Sequence, residues 1–371
     1  MKKEAFYRKL VHRYLDGEAS EEEYELFFHL VKEGKLDPYL MEADADEQPI
    51  TSAGRRPAGK TLPVRWIYRV AAAAVLLFLV AGALLWKNGR KAAIPATANT
   101  FQNDLRPGGE HAILTLNNGA RIKLDSAGKG PLANQGDAQI FQVQPGSLSY
   151  KVPAASSKTV YYNTLSTPAG GEYQVTLSDG TRVWLNALSA IKFPTSFNGD
   201  SRKVELTGEA YFEVAKDKKK PFQVIANGMG ILVLGTSFDV YAYPDETSTK
   251  TTLVSGAVKL VKDGHALVLG PGQQGETVSN SGLQLEEHAD VEKALAWKNG
   301  YFSFEGEHIQ AVMHQVARWY GIEVRYEGNP PDELYGGQIG RNLMLSEVLA
   351  GLTASNVHYK LEGTVLTILH N

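Results

Sequence analysis

One uncharged apolar run stands out in the pattern of hydrophobic and polar positions along the chain. Residues 70–86 carry no charged side chain, and with its flank back to Trp66 the run has 21 residues. A helix of that length is about 31 Å long at ~1.5 Å per residue, which matches a bilayer hydrocarbon core of about 30 Å. We therefore predict one transmembrane helix over residues 66–86. A buried core helix is the alternative; a cleaved signal peptide is disfavoured because about 65 residues precede the run.

Two amphipathic helices are predicted before the apolar run. Apolar residues recur at helical spacing from Phe6 to Tyr14, and a capping box at Ser20 opens a second apolar stripe. We predict a small helical head over residues 1–41. The proline-containing segment 42–65 is predicted to be a linker.

Alternating strands fill the long segment after the run. Residues 204–214 alternate strictly between apolar and more polar side chains, which is typical of a half-buried strand. Three turn glycines are each followed, 27 or 28 residues later, by a glycine that opens another alternating strand. The pairs are Gly119 with Gly146, Gly180 with Gly208, and Gly228 with Gly256. This repetition predicts an all-β domain over residues 101–287, either solenoid-like or built of two sheets. Residues 87–100, between the apolar run and this domain, are predicted to be a linker.

The pattern changes again after Asp290 and predicts an α+β module over residues 297–371. A strand is predicted over residues 297–304, a helix from Ile309 to Tyr320, a second helix over residues 343–352, and a final hairpin around Glu362-Gly363. The element order is βαβ-βαββ. The predicted fold class is thus multidomain: a helical head, one transmembrane helix, an all-β repetitive domain and a C-terminal α+β module.

Flanking charge gives the predicted span a direction. Five basic residues precede the core of the run and three follow it, and a basic excess favours the inner side of a membrane. These residues are Arg55, Arg56, Lys60, Arg65 and Arg69 before it, and Lys87, Arg90 and Lys91 after it. We therefore expect the head inside the cell and the bulk of the chain outside.

The head is acidic and too small to bury much core alone. Residues 1–50 contain seven Lys or Arg against thirteen Asp or Glu. Such a unit suits a partner with a basic surface, for example a DNA-binding protein. The alternative is a solvated helical hairpin without a partner.

The sequence contains few signs of enzyme chemistry. It has no cysteine, which excludes disulfides and thiolate metal sites, and its net charge of −3 argues against direct binding of nucleic acid. No nucleophile elbow, phosphate-binding loop or zinc-protease motif occurs, and the nine histidines are scattered. Glu209 and Glu213 lie four apart on the polar face of a strand and are expected to be solvated. We therefore predict neither a cofactor nor a metal, and no enzyme activity.

One peptide bond offers possible chemistry. A threonine hydroxyl can attack the preceding carbonyl when that peptide is strained, and Gly235-Thr236 follows a predicted strand. The simpler interpretation is that Gly235 permits a β-bulge.

The assembled order resembles a FecR-type transmembrane anti-sigma factor over nearly the whole chain. The final segment is similar to the short signalling module of secretins and TonB-dependent transducers. The matching segments are the head motif at residues 14–23, Leu177–Asn186, Val204–Val214, Lys220–Phe222, Leu234–Phe238, Leu253–Val258 and Leu269–Gln273.

The resemblance implies a signalling role at the inner (cytoplasmic) membrane. The cytoplasmic head would bind an extracytoplasmic-function sigma factor. The periplasmic part would sense the periplasmic signalling domain of a TonB-dependent outer-membrane transporter, and proteolysis would free the sigma factor to transcribe uptake genes. Some relatives cleave themselves at a Gly-Thr bond, which Gly235-Thr236 matches.

The resemblance leaves the contact residues and two other functions open. For the residues expected to contact sigma, the alternative is that they form the head's own core. A membrane-anchored envelope protein that binds a glycan is the alternative function, and it predicts exposed aromatic side chains on the β domain. A peptidase or glycosidase is a third, and it predicts converging carboxylates. The expected sigma contacts are Leu10, Tyr14, Leu15, Tyr24, Phe27 and Phe28.

Overall fold

The structure is a computed structural model that describes part of the chain. It describes residues 6, 7, 9, 10 and 30 near the N-terminus, and residues 104–124, 129–153, 159–278, 282–328, 330, 332–353 and 357–369. The chain divides into two compact units, Met1–Ala96 and Thr97–Asn371.

In the first unit, the five described residues are all helical, with Leu10 and Leu30 buried and Phe6 exposed. The rest of the predicted head, both linkers and the predicted transmembrane helix over residues 66–86 lie outside the described residues. Among the residues that are described, no helix has the length and apolar character needed to cross a membrane.

The second unit begins with a region of strands, residues 104–286, which we call the β domain. In chain order its strands are β1 (Ile113–Thr115), β2 (Arg121–Lys123), β3 (Gly130–Gln135), β4 (Ala138–Gln144), β5 (Ser147–Lys151), β6 (Tyr162–Ser166), β7 (Tyr173–Thr176), β8 (Arg182–Leu185) and β9 (Ala190–Pro194). They continue with β10 (Arg202–Glu213), β11 (Phe222–Ala226), β12 (Met229–Val233), β13 (Ser237–Ala242), β14 (Lys250–Ser255), β15 (Val258–Lys262), β16 (His265–Leu269), β17 (Gln274–Val278) and β18 (Gly282–Glu286).

These strands form two sheets that share β10. Sheet I has the order β2-β1-β6-β9-β10-β11-β12-β15-β16. Sheet II has the order β3-β4-β5-β7-β8-β10-β13-β14-β17-β18. Most neighbours are antiparallel, and the turns at Gly119, Gly180 and Gly228 close the hairpins β1–β2, β7–β8 and β11–β12. The β domain therefore has the two-sheet form of the prediction and not the stacked form of a solenoid.

Strand β10 passes from one sheet to the other at Gly208. Its first half, up to Thr207, pairs with β9 and β11 in sheet I, and its second half pairs with β8 and β13 in sheet II. Gly208 adopts φ +87°, and a Cβ there would lie 2.4 Å from Ser189 Oγ. Only glycine fits this crossing, because a side chain would be both strained and obstructed.

The inward faces of the two sheets share one apolar core. Leu114, Ile191 and Val224 come from sheet I, while Val183 and Phe212 come from sheet II, and all are fully buried. The alternation predicted for residues 204–214 is confirmed, since its apolar positions Val204, Leu206, Ala210, Phe212 and Val214 are buried.

The C-terminal module, residues 291–369, has its own elements and core. Its elements are α1 (Val291–Leu295), β19 (Tyr301–Ser303), β20 (Glu307–His308), α2 (Ile309–Tyr320), β21 (Glu323–Glu327), β22 (Leu334–Tyr335), β23 (Gln338–Gly340), α3 (Leu345–Thr353), β24 (His358–Glu362) and β25 (Val365–Leu369). The strands pair as β19–β23, β20–β22 and β21-β25-β24. Both helices and the last hairpin agree with the sequence prediction. Helix α2 ends at Gly321, which adopts φ +66° as predicted for a helix-terminating glycine.

The prediction was wrong at the start of this module. The expected strand over residues 297–304 is shortened to β19, and an additional helix, α1, precedes it. Asp290 starts α1 because its side chain accepts a hydrogen bond from the backbone N–H of Lys293 at 2.9 Å. Trp297 lies in the turns after α1, where its indole is buried against the β domain.

Candidate functional site

The outer face of sheet II is the surface on which the C-terminal module lies. In the pairing of β10 with β13, Glu209 is opposite Tyr241 and Tyr211 is opposite Asp239. These four side chains point away from the apolar core, because successive residues of a strand face opposite sides. All except Tyr241 are nevertheless buried, since the module covers them. We call this contact surface the joint.

Lys298 of the module binds an aromatic pair of the β domain. Its Nζ lies 4.8 Å from the ring centre of Trp184 and 4.9 Å from that of Tyr211. The two rings are themselves neighbours, with centres 5.6 Å apart. Such cation–π contacts contribute roughly 0.5–2 kcal/mol, with the larger values at desolvated sites.

Arg318 on α2 makes the most extensive contact across the joint. Its guanidinium lies 3.8 Å from the ring centre of Tyr243 and donates hydrogen bonds to Glu246 Oε1 at 2.6 Å and Asp245 Oδ2 at 2.9 Å. It also donates to the hydroxyl of Tyr241 at 3.0 Å. The side chain is 7% exposed, so these partners are needed to stabilise its buried positive charge.

Arg341 connects the module to the β domain through Asn186. Its Nη2 donates to Asn186 Oδ1 at 2.8 Å, its Nη1 donates to the carbonyl of Trp297 at 2.9 Å, and the guanidinium stacks 3.6 Å from the centre of Trp319. Glu172 lies 3.6 Å from Nη1. Burial lowers the pKa of Arg341, although the nearby carboxylates oppose this.

Two carboxyl groups lie beneath the module without a direct ion pair. Glu209 Oε2 accepts a hydrogen bond from Asn186 Nδ2 at 2.6 Å, and Asp239 Oδ1 accepts one from the indole N–H of Trp297 at 3.3 Å. Glu209 is 8% exposed and Asp239 is 3% exposed. Among the described residues, no basic side chain lies within 4.0 Å of either carboxyl group.

Burial changes the acidity of both carboxyl groups. It raises the pKa of Glu209 to about 7, although Asn186 and Arg341 act in the opposite direction. Burial, with repulsion from Glu209, also raises the pKa of Asp239 well above its ordinary value. In contrast, the contact with His314 lowers the pKa of Glu246 to about 2; burial opposes this shift and Arg318 adds to it.

A cavity of about 420 Å³ lies beside these groups at the joint. Its walls include Asp239 and Tyr241 from the β domain and Trp297, Gln315 and Arg318 from the module. Within the described residues, no group of three or more His, Asp or Glu is arranged to hold a metal ion.

The bond Gly235-Thr236 lies between β12 and β13. Gly235 adopts φ +151°, and a Cβ there would lie 2.7 Å from Lys216 Cα, so that glycine is required. Thr236 is buried, and its hydroxyl donates to the carbonyl of Ala257 at 3.1 Å. Glycine adopts this backbone conformation without strain, and the Thr236 hydroxyl is held by the Ala257 carbonyl and not by the Gly235 carbonyl.

Of the predicted sigma contacts, only Leu10 lies within the described residues, and its side chain is 2% exposed. Tyr14, Leu15, Tyr24, Phe27 and Phe28 lie outside them.

Sequence reasoning missed the joint. Glu209 was expected to be solvated, which is wrong because the module covers the second face of β10. Glu213, at the end of the same strand, is only half-buried, and it pairs with the exposed Arg182. The aromatic residues Trp184, Tyr211 and Tyr241 on the outward positions of β8, β10 and β13 were the available signal, since a solvated sheet face rarely carries three rings.

Comparisons with known proteins identify the class of protein that this fold represents. The family model described as FecR protein matches residues 163–259, and the model described as FecR, C-terminal, matches residues 301–368. No curated protein matches the chain.

Two crystal structures of a protein from Parabacteroides distasonis ATCC 8503, described as a candidate anti-sigma factor, are similar to this chain. Both are 31% identical to it, with a TM-score of 0.53. The match covers 99% of each crystallised chain and 57% or 56% of this one. This chain therefore belongs to the FecR family, a family of regulatory proteins.

Proposed function

We propose that this protein is an inner-membrane anti-sigma factor that transmits a periplasmic signal to an extracytoplasmic-function sigma factor. The observation that carries the proposal is the match to both FecR models, together with the crystallised candidate anti-sigma factor that the chain covers almost completely. The function has three parts: a cytoplasmic contact, a membrane crossing and a periplasmic contact.

The cytoplasmic contact is assigned to the head, residues 1–41. Its excess of acidic residues complements the basic surface of a DNA-binding sigma factor. Its apolar stripes supply the buried centre that an interface needs. The residues proposed to form that centre are Leu10, Tyr14, Leu15, Tyr24, Phe27 and Phe28.

The membrane crossing is assigned to residues 66–86, with the head in the cytoplasm and residues 101–371 in the periplasm. One apolar helix cannot form a pathway for a solute. It can connect the two sides of the membrane, so that a change in tethering or a cleavage carries the signal across. The basic residues before residue 70 support this orientation.

The proposed periplasmic partner is the signalling domain of a TonB-dependent outer-membrane transporter, which would contact the C-terminal module. Within the described residues, β21 and β24 each pair only with β25. Both therefore present an unpaired edge to which a partner strand can be added. The aromatic pairs that a glycan-binding function would use are occupied by Lys298 and Arg318, which favours the signalling function.

Self-cleavage at Gly235-Thr236 is a further part of the proposal. The Thr236 hydroxyl oxygen attacks the Gly235 carbonyl carbon, its proton passes to the departing amide nitrogen, and the resulting ester is hydrolysed by water. The match of Gly235-Thr236 to the Gly-Thr bond at which some proteins of the FecR family cleave themselves supports this chemistry. Thr236→Ala should abolish a discrete fragment on a gel, and a fragment that persists in this variant contradicts self-cleavage.

The proposal is tested by recovering the intact chain from membranes of its own cells and identifying bound proteins by mass spectrometry. We expect an extracytoplasmic-function sigma factor, and we expect Tyr14→Asp with Phe27→Asp to reduce its recovery at least about tenfold, because a charge is placed in the apolar contact. Tyr162→Asp, at an exposed position of the β domain, is the control that should retain it. Absence of any sigma factor from the intact chain contradicts the proposal.

A further inference from the structure

The β domain and the C-terminal module each have a complete apolar core of their own. The β-domain core is built from inward-facing residues of both sheets, and the module core is built from α2, α3 and the strands around them. Among the described residues the two apolar clusters are separate, except that Ala187 and Leu105 of the β domain pack into the module core. The other contacts across the joint are made mostly by polar and aromatic side chains. Interfaces of this polar kind permit relative motion of the bodies they join.

The cavity at the joint is a gap between two bodies, and several of its polar wall groups are hydrogen-bonded within one body. Thr252 donates to Gln274 at 2.8 Å, and Gln274 donates to Glu286 at 3.0 Å. On the module side, Lys293 pairs with Glu307 at 2.5 Å. These pairs lie within one body each, so they persist whether or not the two bodies are in contact.

Charged side chains make many of the contacts that cross the joint, beside backbone hydrogen bonds from Gly170 to Arg318 and from Leu345 to Leu105. The module supplies Lys298, Arg318 and Arg341, and the β domain supplies the aromatic pairs, Asn186 and the acidic residues Asp245 and Glu246. Closing the joint also removes Glu209 and Asp239 from water without placing a cation within 4.0 Å of either carboxyl group, although Arg318 and Arg341 attract Glu209 from farther away. A buried carboxylate without a cation is costly, and the cost falls when it takes up a proton.

We propose that the C-terminal module is a releasable latch on the β domain, and that proton uptake by Glu209 and Asp239 closes it. Trp297 and Arg341 cover the two carboxyl groups when the latch is closed. Release returns both groups to water. The charged and titratable groups that face the pair are Arg318 and Arg341 on the module, and Glu246, Tyr241 and Tyr243 on the β domain.

The sign of the pH dependence follows from which state binds more protons. The closed state raises the pKa of Glu209 to about 7 and also raises that of Asp239, whereas release restores ordinary values. The closed state is therefore favoured in acid and is weakened as pH rises through about 7. Glu246, with its lowered pKa of about 2, acts in the opposite direction only below its ordinary range. From Glu209 alone, the ratio of open to closed molecules should be roughly 30-fold higher at about pH 8.5 than at about pH 5.5.

The absence of cysteine makes a distance measurement straightforward. Spin labels are attached to the full chain at Ser201→Cys on the β domain and Ala350→Cys on α3, both exposed positions. Pulsed electron paramagnetic resonance then gives the distance distribution at about pH 5.5 and about pH 8.5. We expect one narrow distance in acid and a growing second population at the higher pH.

Three variants connect this change to the proposed groups. Glu209→Gln, and independently Asp239→Asn, should each weaken the pH dependence and favour the closed latch. Glu205→Gln on the exposed half of β10 should leave the pH dependence unchanged. A distribution that is the same at both pH values overturns the latch, and so does a pH response in the Glu209→Gln and Asp239→Asn chains equal to that of the unchanged chain. None of these outcomes depends on whether a sigma factor binds the head.

Discussion

A buried guanidinium shows how individual side chains stabilise the β domain. Arg202, at the first position of β10, is 2% exposed. It pairs with Asp179 at 2.8 Å, donates to the carbonyls of Lys220 and Ala215 at 2.9 and 2.8 Å, and lies over the ring of Phe222. The pair ties the β7–β8 turn to the start of β10.

Asp179→Asn should therefore destabilise the protein by about 3 kcal/mol, because it leaves a buried positive charge without its counter-ion. Urea unfolding of the full chain measures the change in the free energy of unfolding. The matched control is Glu213→Gln, which breaks the partly exposed pair with Arg182 and should cost less than about 1 kcal/mol. Equal effects of the two substitutions would contradict the importance of burial.

At the scale of elements, β10 organises the molecule because it belongs to both sheets. The crossing at Gly208 requires a left-handed residue in close contact with Ser189. Gly264, in the β15–β16 turn, also has a positive φ of +81°, but a Cβ there would meet no atom within 4 Å.

This difference predicts unequal costs for the same substitution. Gly264→Ala should cost about 1 kcal/mol for its backbone alone, whereas Gly208→Ala should cost about 3 kcal/mol because strain and collision add. Thermal unfolding of the two variants provides the comparison. If Gly208→Ala is no worse than Gly264→Ala, the crossing is not as tightly packed as the structure indicates.

Element prediction succeeded where the information was local. The alternation over residues 204–214 specifies β10, the stripe from Ile309 to Tyr320 specifies α2, and the turn glycines specify hairpins, because each pattern depends on neighbours along the chain. The burial of the Glu209 side chain depends instead on Trp297 and Arg341, which are far away in the sequence. Periodicity cannot show which solvent-facing strand surface another module will cover, and the joint was missed for that reason.

At the scale of the whole molecule, the proposed function places the two ends of the chain on opposite sides of a membrane. Reporter fusions test this assignment. A reporter protein that is active only in the cytoplasm should be active when it is fused before residue 60. A reporter that is active only in the periplasm should be active when it is fused after residue 100. This orientation is expected because of the basic residues that precede the apolar run. The reversed pattern would contradict the orientation and would place the head away from any sigma factor.

Binding of the sigma factor by the head is the central claim, and calorimetric titration tests it most directly. The full chain, purified in detergent, is titrated with the extracytoplasmic-function sigma factor encoded in its own genome. The account predicts a saturable one-to-one complex that is lost when residues 1–41 are removed. Absence of binding by the full chain, or undiminished binding by the truncated chain, would contradict it.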